Sequence, residues 1–196
     1  MSYPLFPLDT VLFPGCILDL QIFEARYLDM VSGCMRRGEG FGVVTILDGA
    51  EVGEAPRRFS ALGCEALIRD FQQRPNGLLG IRVEGGRRFH VGEVAVQPDQ
   101  LSLATVDWLE EAEDAPLRVE HADLAALLGA LAEHPLVAGL GMGGVVGGQH
   151  ALASQLAYLL PFSTEHKLQL LQLDLPQQRL ELIQQLLDQL QDEISA

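Results

Sequence analysis

The sequence predicts an α+β fold in which a strongly bent sheet or small barrel, interrupted by one helix, is followed by a helical bundle. Up to about Val96, short apolar runs alternate with turn residues, a pattern typical of hairpin-connected strands. One segment within this part, starting near Phe23, has apolar residues at helical spacing instead. Beyond the acidic run EEAEDAP, helical spacing continues to the end of the chain. We therefore expect a β-rich subdomain at 1–110, an acidic linker at 111–118 and a helical subdomain at 119–196.

Four strands are predicted where apolar runs lie between turn sequences. Asp-Gly, Pro-Asn-Gly and Gly-Gly favour turns because glycine and asparagine tolerate a left-handed backbone and proline fixes φ. The turn sequences are Asp48-Gly49, Pro75-Asn76-Gly77 and Gly85-Gly86. The predicted strands are Phe41–Leu47, Ala61–Phe71, Leu78–Val96 and Leu101–Leu109.

The start of the chain contains the phrase Leu-Phe-Pro twice, ending at Pro7 and at Pro14. Each phrase predicts an apolar β segment that ends at its proline, since proline cannot donate a hydrogen bond to a neighbouring strand. Pro7 would lie at a strand edge and Pro14 in a turn with Gly15, so the chain would double back at once. The large side chains expected in the core here are Phe6, Phe13 and Phe23.

Five helices are predicted from apolar residues three and four apart. The first begins near Phe23-Glu24, ends near Met35 and is stopped by Gly38. Thr164 and Asp174 are expected to be N-caps of the last two helices. The remaining predicted helices are Glu120–Glu133, ended by His134-Pro135, Ala151–Leu160, closed by Pro161, Thr164–Leu173, and a last helix with Pro176 in its first turn.

The last predicted helix has an apolar face and a face rich in glutamine and aspartate. Such a stripe favours packing in the core of the helical part, with a homodimer through this helix as the alternative. The stripe consists of Leu180, Ile183, Leu187, Leu190 and Ile194.

Charge is distributed unevenly along the chain and disfavours nucleic-acid binding. The formal net charge is −14, with 27 acidic and 13 basic residues. Residues 1–92 contain 10 arginines and 11 acidic residues, whereas residues 93–196 contain 3 basic and 16 acidic residues. Because acidic surfaces repel phosphate, RNA binding is only the alternative function. Its phosphate contacts would be Arg57, Arg58, Arg87 and Arg88.

The cysteines and the N-terminus indicate a cytoplasmic protein with no membrane segment. Cys16, Cys34 and Cys64 are odd in number and lack CxxC spacing, so neither a disulfide framework nor a zinc site is predicted. They are expected to be buried apolar residues in a reducing compartment. Prolines interrupt the first apolar run, which excludes a signal peptide and a membrane span.

No catalytic, cofactor-binding or metal-binding residue is predicted. Gly139, Gly141 and Gly144 fit G-x-G-x-x-G, but a dinucleotide site needs a strand before the turn, and a helix is predicted there. The sequence has no G-x-S-x-G, no H-E-x-x-H and no phosphate-binding loop. A hydrolase using Lys167 and a cysteine is a third hypothesis. The glycine-rich segment is instead expected to be an exposed apolar loop that could contact a partner through Leu140, Met142, Val145 and Val146.

The opening PLFPLDTVLFPGCILDLQIFEARYLDM resembles the signature of the Lon protease N-terminal, substrate-binding domain family. Further similar segments are FGVV, GCEALIRDF, GLLGIRVEGGRRFHV and SQLAYLLPFSTEHKLQLLQLDLPQQRLELIQQLL. The resemblance implies a PUA-like pseudobarrel of about six strands with one helix, followed by a helical bundle. It also implies a noncatalytic module that binds unfolded or extended polypeptide, as an adaptor in protein quality control. The ATPase and Ser/Lys protease modules of full Lon proteases have no counterpart here. Conversely, the acidic linker and the glycine-rich loop of this chain match no functional element of the family.

The FEAR segment of this signature provides two further candidate residues, Glu24 and Arg26. Residues two positions apart point to different faces of a helix, so Glu24 and Arg26 would each need a partner of their own. We expect one of them to hold the helix against a neighbouring strand through a charged hydrogen bond, with contact to a binding partner as the alternative. A bound peptide would pair with a sheet edge or lie in an apolar groove between the two parts.

Overall fold

A computed structural model describes residues 2–196 as six strands, six α-helices and one 3₁₀ turn. The chain divides into two compact units after Glu110. The strands are β1 (Tyr3–Leu8), β2 (Ile17–Ile22), β3 (Phe41–Asp48), β4 (Arg58–Gln73), β5 (Leu79–Val96) and β6 (Ser102–Trp108). The helices are α1 (Ala25–Arg37), α2 (Ala122–Ala132), α3 (Pro135–Leu140), α4 (Gln149–Leu159), α5 (Thr164–Gln172) and α6 (Pro176–Ser195).

Five strands of the first unit close into a barrel. β1 pairs in parallel with β3 and antiparallel with β6, and antiparallel pairings of β3 with β4, β4 with β5 and β5 with β6 complete the ring. β2 is added outside this ring, on the first half of β5. Leu5, Val44, Phe89 and Ala104 form a buried cluster contributed by four of the strands. The predicted fold class, a bent sheet or barrel with one helix followed by a helical part, is confirmed.

The Gly85-Gly86 pair lies inside β5, so its prediction as a turn is wrong. β5 continues through both glycines, and register shifts in its pairings with β4 and β6 mark irregularities in the ladder. Glycine is required at position 85 because a Cβ atom there would collide with the carbonyl oxygen of Phe13. Without a Cβ atom at position 85, the backbone of Phe13 can approach β5 closely. Such a close approach of another backbone segment is a common reason for glycine inside a strand.

The first Leu-Phe-Pro phrase lies within β1. The strand continues through Pro7 to Leu8, so the predicted end at Pro7 is wrong. Proline is tolerated here because β6 pairs with β1 only at Tyr3 and Pro4, which leaves β3 as the neighbour beside Pro7.

The second Leu-Phe-Pro phrase leads into a turn instead of forming a strand, so the predicted β segment ending at Pro14 is wrong. The predicted turn at Pro14-Gly15 is confirmed: the N–H of Cys16 donates to the Phe13 carbonyl at 3.1 Å, and Gly15 has a φ of 75°. This is a type II turn, with proline and glycine at its two central positions. The strand that follows is β2, which has the sequence ILDLQI.

Helix α1 packs one face against the barrel. Glu24 is its N-cap with extended backbone, and Gly38 ends it in the left-handed conformation. Phe6 and Phe13 are buried as predicted, but Phe23 is 54% exposed, so its assignment to the core is wrong. The reason is that Ile22 points into the core, and successive side chains of an extended segment point to opposite sides.

In the second unit, a short helix that the sequence analysis missed follows α2. Pro135 does not end the helical region but begins α3, where it occupies the first helical position. His134 is the N-cap, and its Nδ1 accepts a hydrogen bond from the N–H of Leu136 at 3.3 Å. None of the helices within residues 2–196 has the length and apolar character that crossing a membrane requires.

Both predicted N-caps are shifted by one residue. Ser163, not Thr164, caps α5 by accepting a hydrogen bond from the N–H of His166 at 3.1 Å. Leu175, not Asp174, is the N-cap residue of α6, and its apolar side chain makes no capping hydrogen bond. Pro176 at the start of α6 has a backbone φ that already suits the helix.

Helix α6 is buried only in its first half. Leu180, Ile183 and Leu186 are buried, whereas Ile194 is 86% exposed, so packing of the whole predicted stripe is confirmed only in part. Arg179 is fully buried and anchors the helix: its Nε donates to the Leu173 carbonyl at 2.8 Å, and its Nη2 lies 3.7 Å from Glu111.

The acidic segment at 111–118 is bound to the start of α4. Asp114 accepts a hydrogen bond from the N–H of His150 at 2.9 Å, and Ala115 accepts one from the N–H of Gln149 at 2.9 Å. The carboxylate of Asp114 therefore lies at the positive end of the α4 dipole.

Candidate polypeptide-binding surface

β2 is the strand, among those in residues 2–196, that has a neighbour on one side only. It pairs with β5, and every other strand pairs with two or more. In an antiparallel pair, alternate residues direct both backbone groups toward the neighbour and the others direct them away. Such a free edge can accept an additional strand from another chain.

The turn before β2 determines which residues face the free edge. Gly15 donates to the Gly85 carbonyl at 2.7 Å, and the N–H of Gly85 donates to the Cys16 carbonyl at 2.8 Å. This is a β-bulge with a left-handed glycine at its first position. Counting on from Cys16, the residues that bond to β5 are Leu18, Leu20 and Ile22. The backbone groups of Asp19 and Gln21 therefore point away from β5, and both residues are exposed.

A groove of about 160 Å³ separates β2 from elements with which it does not pair. We call it the edge groove. Its walls are apolar in large part, and its charged members are all carboxylates. Phe23 and Val52 are 54% and 56% exposed at its border. The groove is lined by Phe6, Leu8, Asp19, Leu20, Gln21, Ile22, Phe23, Glu24, Tyr27, Glu51 and Val52.

Asp19 on this edge is held by Arg82 of β5. Two hydrogen bonds, from Nε and Nη2 of Arg82 to the two carboxylate oxygens, each measure 2.8 Å. These hydrogen bonds, followed by the charge of the guanidinium, lower the pKa of Asp19 below its ordinary value of 3.8. The pair fixes the side-chain direction on the edge strand.

We expect Arg82→Gln to raise the pKa of Asp19 toward 3.8, measured by NMR titration of its carboxyl carbon. Because the folded-state pKa is lowered, the pair stabilises the fold above the unfolded-state pKa, and this contribution is lost as pH falls through the folded-state pKa. Arg69→Gln, on another exposed pair with Glu84, is the matched control. An unchanged Asp19 pKa in Arg82→Gln would contradict the assignment.

Glu24 and Arg26 contact each other, so the prediction that they point to different faces is wrong. Glu24 precedes the helix in extended conformation, which lets its carboxylate approach Nη2 of Arg26 to 3.2 Å. Nη1 of Arg26 donates to the Gln100 carbonyl at 2.8 Å, and the carboxylate of Glu24 accepts from the N–H of Gly53 at 3.3 Å. Arg26 therefore holds the start of α1 to the turn between β5 and β6, and not to a strand.

The glycine-rich loop contains one buried candidate residue. Met142 is 6% exposed, so the prediction that it is presented to a partner is wrong. Val145 is fully exposed, and Leu140 and Val146 are half-buried. Leu140 is the last residue of helix α3. A dinucleotide site requires a strand before its first glycine, and here a helix occupies that position.

The arginines proposed for RNA binding do not all reach solvent. Arg88 is fully buried. Arg87 is exposed, but its guanidinium lies 4.0 Å from the centre of the Trp108 ring and its Nε lies 3.4 Å from Glu65. Arg57 and Arg58 are exposed at the start of β4. The structure therefore leaves three of the four side chains accessible to phosphate, one of them already in an ion pair.

The same Trp108 lines a cleft of about 560 Å³ in the first unit. The Tyr3 ring meets Trp108 edge-on with 5.2 Å between centroids, and the Tyr3 hydroxyl donates to Glu65 at 3.5 Å. Burial, with the charge of Glu65, raises the pKa of Tyr3, so this hydroxyl stays protonated. The charged residues that line this cleft occur as pairs of opposite sign, Arg87 with Glu65 and Arg37 with Glu39.

Two groups considered for hydrolysis are in structural positions. Nζ of Lys167 donates to the Tyr158 carbonyl at 2.7 Å. Cys16, Cys34 and Cys64 are buried thiols, and burial raises the pKa of Cys34, which disfavours a nucleophilic thiolate.

Comparison with known proteins identifies the family. A family described as the ATP-dependent protease La (LON) substrate-binding domain matches residues 2–189. The chain belongs to this family. The crystal structure of a Lon N-terminal domain protein from Xanthomonas campestris is 40% identical, with a TM-score of 0.75, over 96% of this chain and 98% of that one. The family match occupies nearly the whole chain, and the Lon substrate-binding domain is not itself catalytic.

Two further Lon relatives are more distant. The N-terminal domain of a Mycobacterium avium complex Lon protease has a TM-score of 0.61 at 22% identity, over 93% of this chain and 96% of that one, which shows the common fold. A Lon protease from Flavobacterium johnsoniae is 24% identical over 115 residues, which are 58% of this chain. The chain covers only 14% of the length of that curated Lon protease.

The Lon signature now has a structural explanation. Pro14 and Gly15 form the turn and bulge that set the register of β2, while Glu24 and Arg26 fasten the start of α1. These residues shape and hold the strand and helix that border the edge groove. The candidate binding residues that the sequence analysis missed are Asp19 and Gln21. Their signal was the alternation of apolar and polar residues from Leu18 to Ile22, shortly after Pro14-Gly15, which is typical of a half-buried strand.

Proposed function

We propose that this chain is a noncatalytic module that binds extended polypeptide by adding it as a strand to the free edge of β2. The observation that carries the proposal is that β2, within residues 2–196, has one paired and one unpaired edge, and that the unpaired edge borders an apolar groove. Backbone hydrogen bonds to Asp19 and Gln21 would give affinity that is independent of peptide sequence. This suits a domain that must accept many unfolded chains.

Membership of the Lon substrate-binding family supports the same class of partner. We infer that the chain acts as an adaptor in protein quality control, holding unfolded segments for a separate protease. Adding the purified protein to a Lon-type protease and a chemically unfolded substrate tests this role. A change in the degradation rate that depends on the β2 edge is expected, and an unchanged rate would contradict the adaptor role while leaving peptide binding intact.

Gln21→Pro is expected to weaken binding of a fluorescein-labelled, nine-residue peptide in which valine alternates with serine by about tenfold. Proline removes an outward N–H but no hydrogen bond to β5, since Gln21 directs its backbone groups away from that strand. One lost hydrogen bond of about 1.4 kcal/mol corresponds to this change in Kd. Fluorescence anisotropy measures the Kd.

Gln21→Ala is the matched control, because it removes the same side chain and keeps the N–H. It should bind the peptide with nearly wild-type affinity. Equal affinity of Gln21→Pro and Gln21→Ala would overturn the edge as binding surface. Val145→Asp tests the glycine-rich loop in the same assay: loss of binding in this variant alone would place the peptide on the loop formed by Leu140, Val145 and Val146.

A homodimer through α6 remains a separate proposal. Its support is the exposed end of this helix, where Ile194 is 86% exposed. Sedimentation analysis of the wild type beside Ile194→Lys tests it: a dimer that dissociates in the variant supports the proposal, and a monomeric wild type contradicts it.

A further inference from the structure

We infer that the edge groove selects segments in which a basic residue adjoins apolar ones, with Glu51 as the residue that recognises the basic side chain. This inference rests on the proposed binding of peptide along β2 and adds the chemistry of the preferred sequence.

The charged residues lining the edge groove are Asp19, Glu24 and Glu51, and no basic residue lines it. Two of these carboxylates are already neutralised. Asp19 has two hydrogen bonds to Arg82, and Glu24 forms an ion pair with Arg26. Neither can supply a full negative charge to a peptide.

Glu51 differs from these two because it forms no ion pair with any residue of the described chain. Its Oε1 accepts one hydrogen bond, from the backbone N–H of Asp9 at 2.7 Å. Asp9 is itself exposed and contributes a second negative charge close by. The half-buried Glu51 carboxylate is therefore fixed in position by the backbone while its charge stays uncompensated.

The position of Glu51 suits recognition of an extended peptide. It is followed by Val52, which is 56% exposed and lines the groove together with Phe23, which is 54% exposed. In a bound strand, side chains alternate between the two faces. An apolar side chain would contact Phe23 and Val52, and an adjacent residue that carries a lysine or arginine would place its charge near Glu51, where opposite charges attract at short range.

The net charge of the part of the chain that carries the groove does not account for this preference. Residues 1–92 are almost neutral, with 10 arginines against 11 acidic residues. Arg57 and Arg58 end the same loop that carries Glu51, but neither lines the groove. Selectivity for basic peptides should therefore depend on Glu51 and not on general attraction to an acidic surface.

The test compares three labelled nine-residue peptides in which valine alternates with lysine, serine or glutamate. At low salt, the lysine peptide is expected to bind about tenfold more tightly than the glutamate peptide, with the serine peptide between them. This difference should shrink at high ionic strength, because salt screens exposed charges. Fluorescence anisotropy gives the three Kd values for the wild-type protein and each variant.

Glu51→Gln keeps the oxygen that accepts from Asp9 and removes the charge, so the ratio between lysine and serine peptides should fall toward one. Glu51→Lys should reverse the preference in favour of the glutamate peptide. Glu54→Gln is the matched control: it removes an exposed carboxylate of the same loop that does not line the groove, and should leave the ratios unchanged.

The outcomes separate the two proposals. If all three peptides bind the wild type with equal affinity, the inference about Glu51 is overturned and the proposed function stands. If none of them binds, the proposed function itself fails. Equal loss of selectivity in Glu51→Gln and Glu54→Gln would mean that general charge decides, which also overturns the role of Glu51. If Glu51→Gln fails to fold, Glu51→Lys tests the role of Glu51 in the same assay, and an unchanged preference for the lysine peptide in Glu51→Lys would overturn that role.

Discussion

Arg26→Met is expected to lower the free energy of unfolding by about 3 kcal/mol, as removal of one partner from a buried ion pair usually does. Arg26 is 4% exposed and connects the start of α1 with the turn between β5 and β6. It donates to the Gln100 carbonyl, pairs with Glu24 and lies 4.5 Å from the centre of the Tyr27 ring. Methionine keeps the apolar contact but leaves the carbonyl and the carboxylate without their donor.

The loss should extend beyond the direct contacts of Arg26. Gln100 has a φ of 72°, an uncommon conformation for a residue other than glycine, and its side chain accepts a hydrogen bond from the N–H of Ala55 at 3.2 Å. Arg26 thus holds the strained turn at Gln100, and the side chain of Gln100 holds the loop before β4. Freed from Arg26, both segments should exchange amide hydrogens faster than in the wild type.

Urea denaturation followed by circular dichroism measures the expected change. Arg69→Met is the matched control, because Arg69 forms an exposed pair with Glu84 and such pairs contribute at most about 1 kcal/mol. An Arg26→Met protein that is as stable as the wild type and has lost peptide binding would show that Arg26 contacts the partner, which is the alternative to its structural role.

Gly85→Ala is the second change with a large expected effect, a loss of about 3 kcal/mol in the free energy of unfolding. The new Cβ would overlap the Phe13 carbonyl oxygen, a backbone atom that cannot rotate away. Relief requires β5 to separate from the turn, which breaks the hydrogen bonds from Gly15 to Gly85 and from Gly85 to Cys16. Since this bulge sets the register of β2, peptide binding should weaken as well.

Gly144→Ala is the control for the change from glycine to alanine. A Cβ at position 144 would meet no atom within 4 Å, so the effect should stay within about 0.5 kcal/mol. Thermal and urea denaturation of both variants provides the comparison. Equal stability of Gly85→Ala and the wild type would show that the turn and β5 do not approach as closely as described.

The local sequence was sufficient to predict most elements of the fold. Alternating apolar runs predicted β3, β4, β5 and β6 to within a few residues, because strand periodicity and the flanking turn residues act over short distances. α3 was missed since proline after His134 indicates equally the end of one helix and the first turn of another. Gly85-Gly86 was misassigned for a related reason: glycine serves both turns and close backbone approaches.

The candidate site was only partly predictable. The expected modes of binding included a sheet edge, but the edge could not be assigned to β2, because strand order depends on pairings between distant residues. Asp19 pairs with Arg82, which is 63 residues away in the sequence. Met142 and Phe23 were misplaced because apolar character alone does not distinguish a buried side chain from an exposed one.

The sequence by itself determined the fold class, the family and the turn at Pro14-Gly15, since periodicity, proline and glycine act through the local backbone. Only the tertiary structure decided that β2 carries a free edge and that Asp19 and Glu24 are neutralised while Glu51 is not. These properties depend on which strands pair and on which charged side chains meet in the folded chain. The physical reason is that a hydrogen bond or an ion pair forms according to distance in space, which the order of residues does not express.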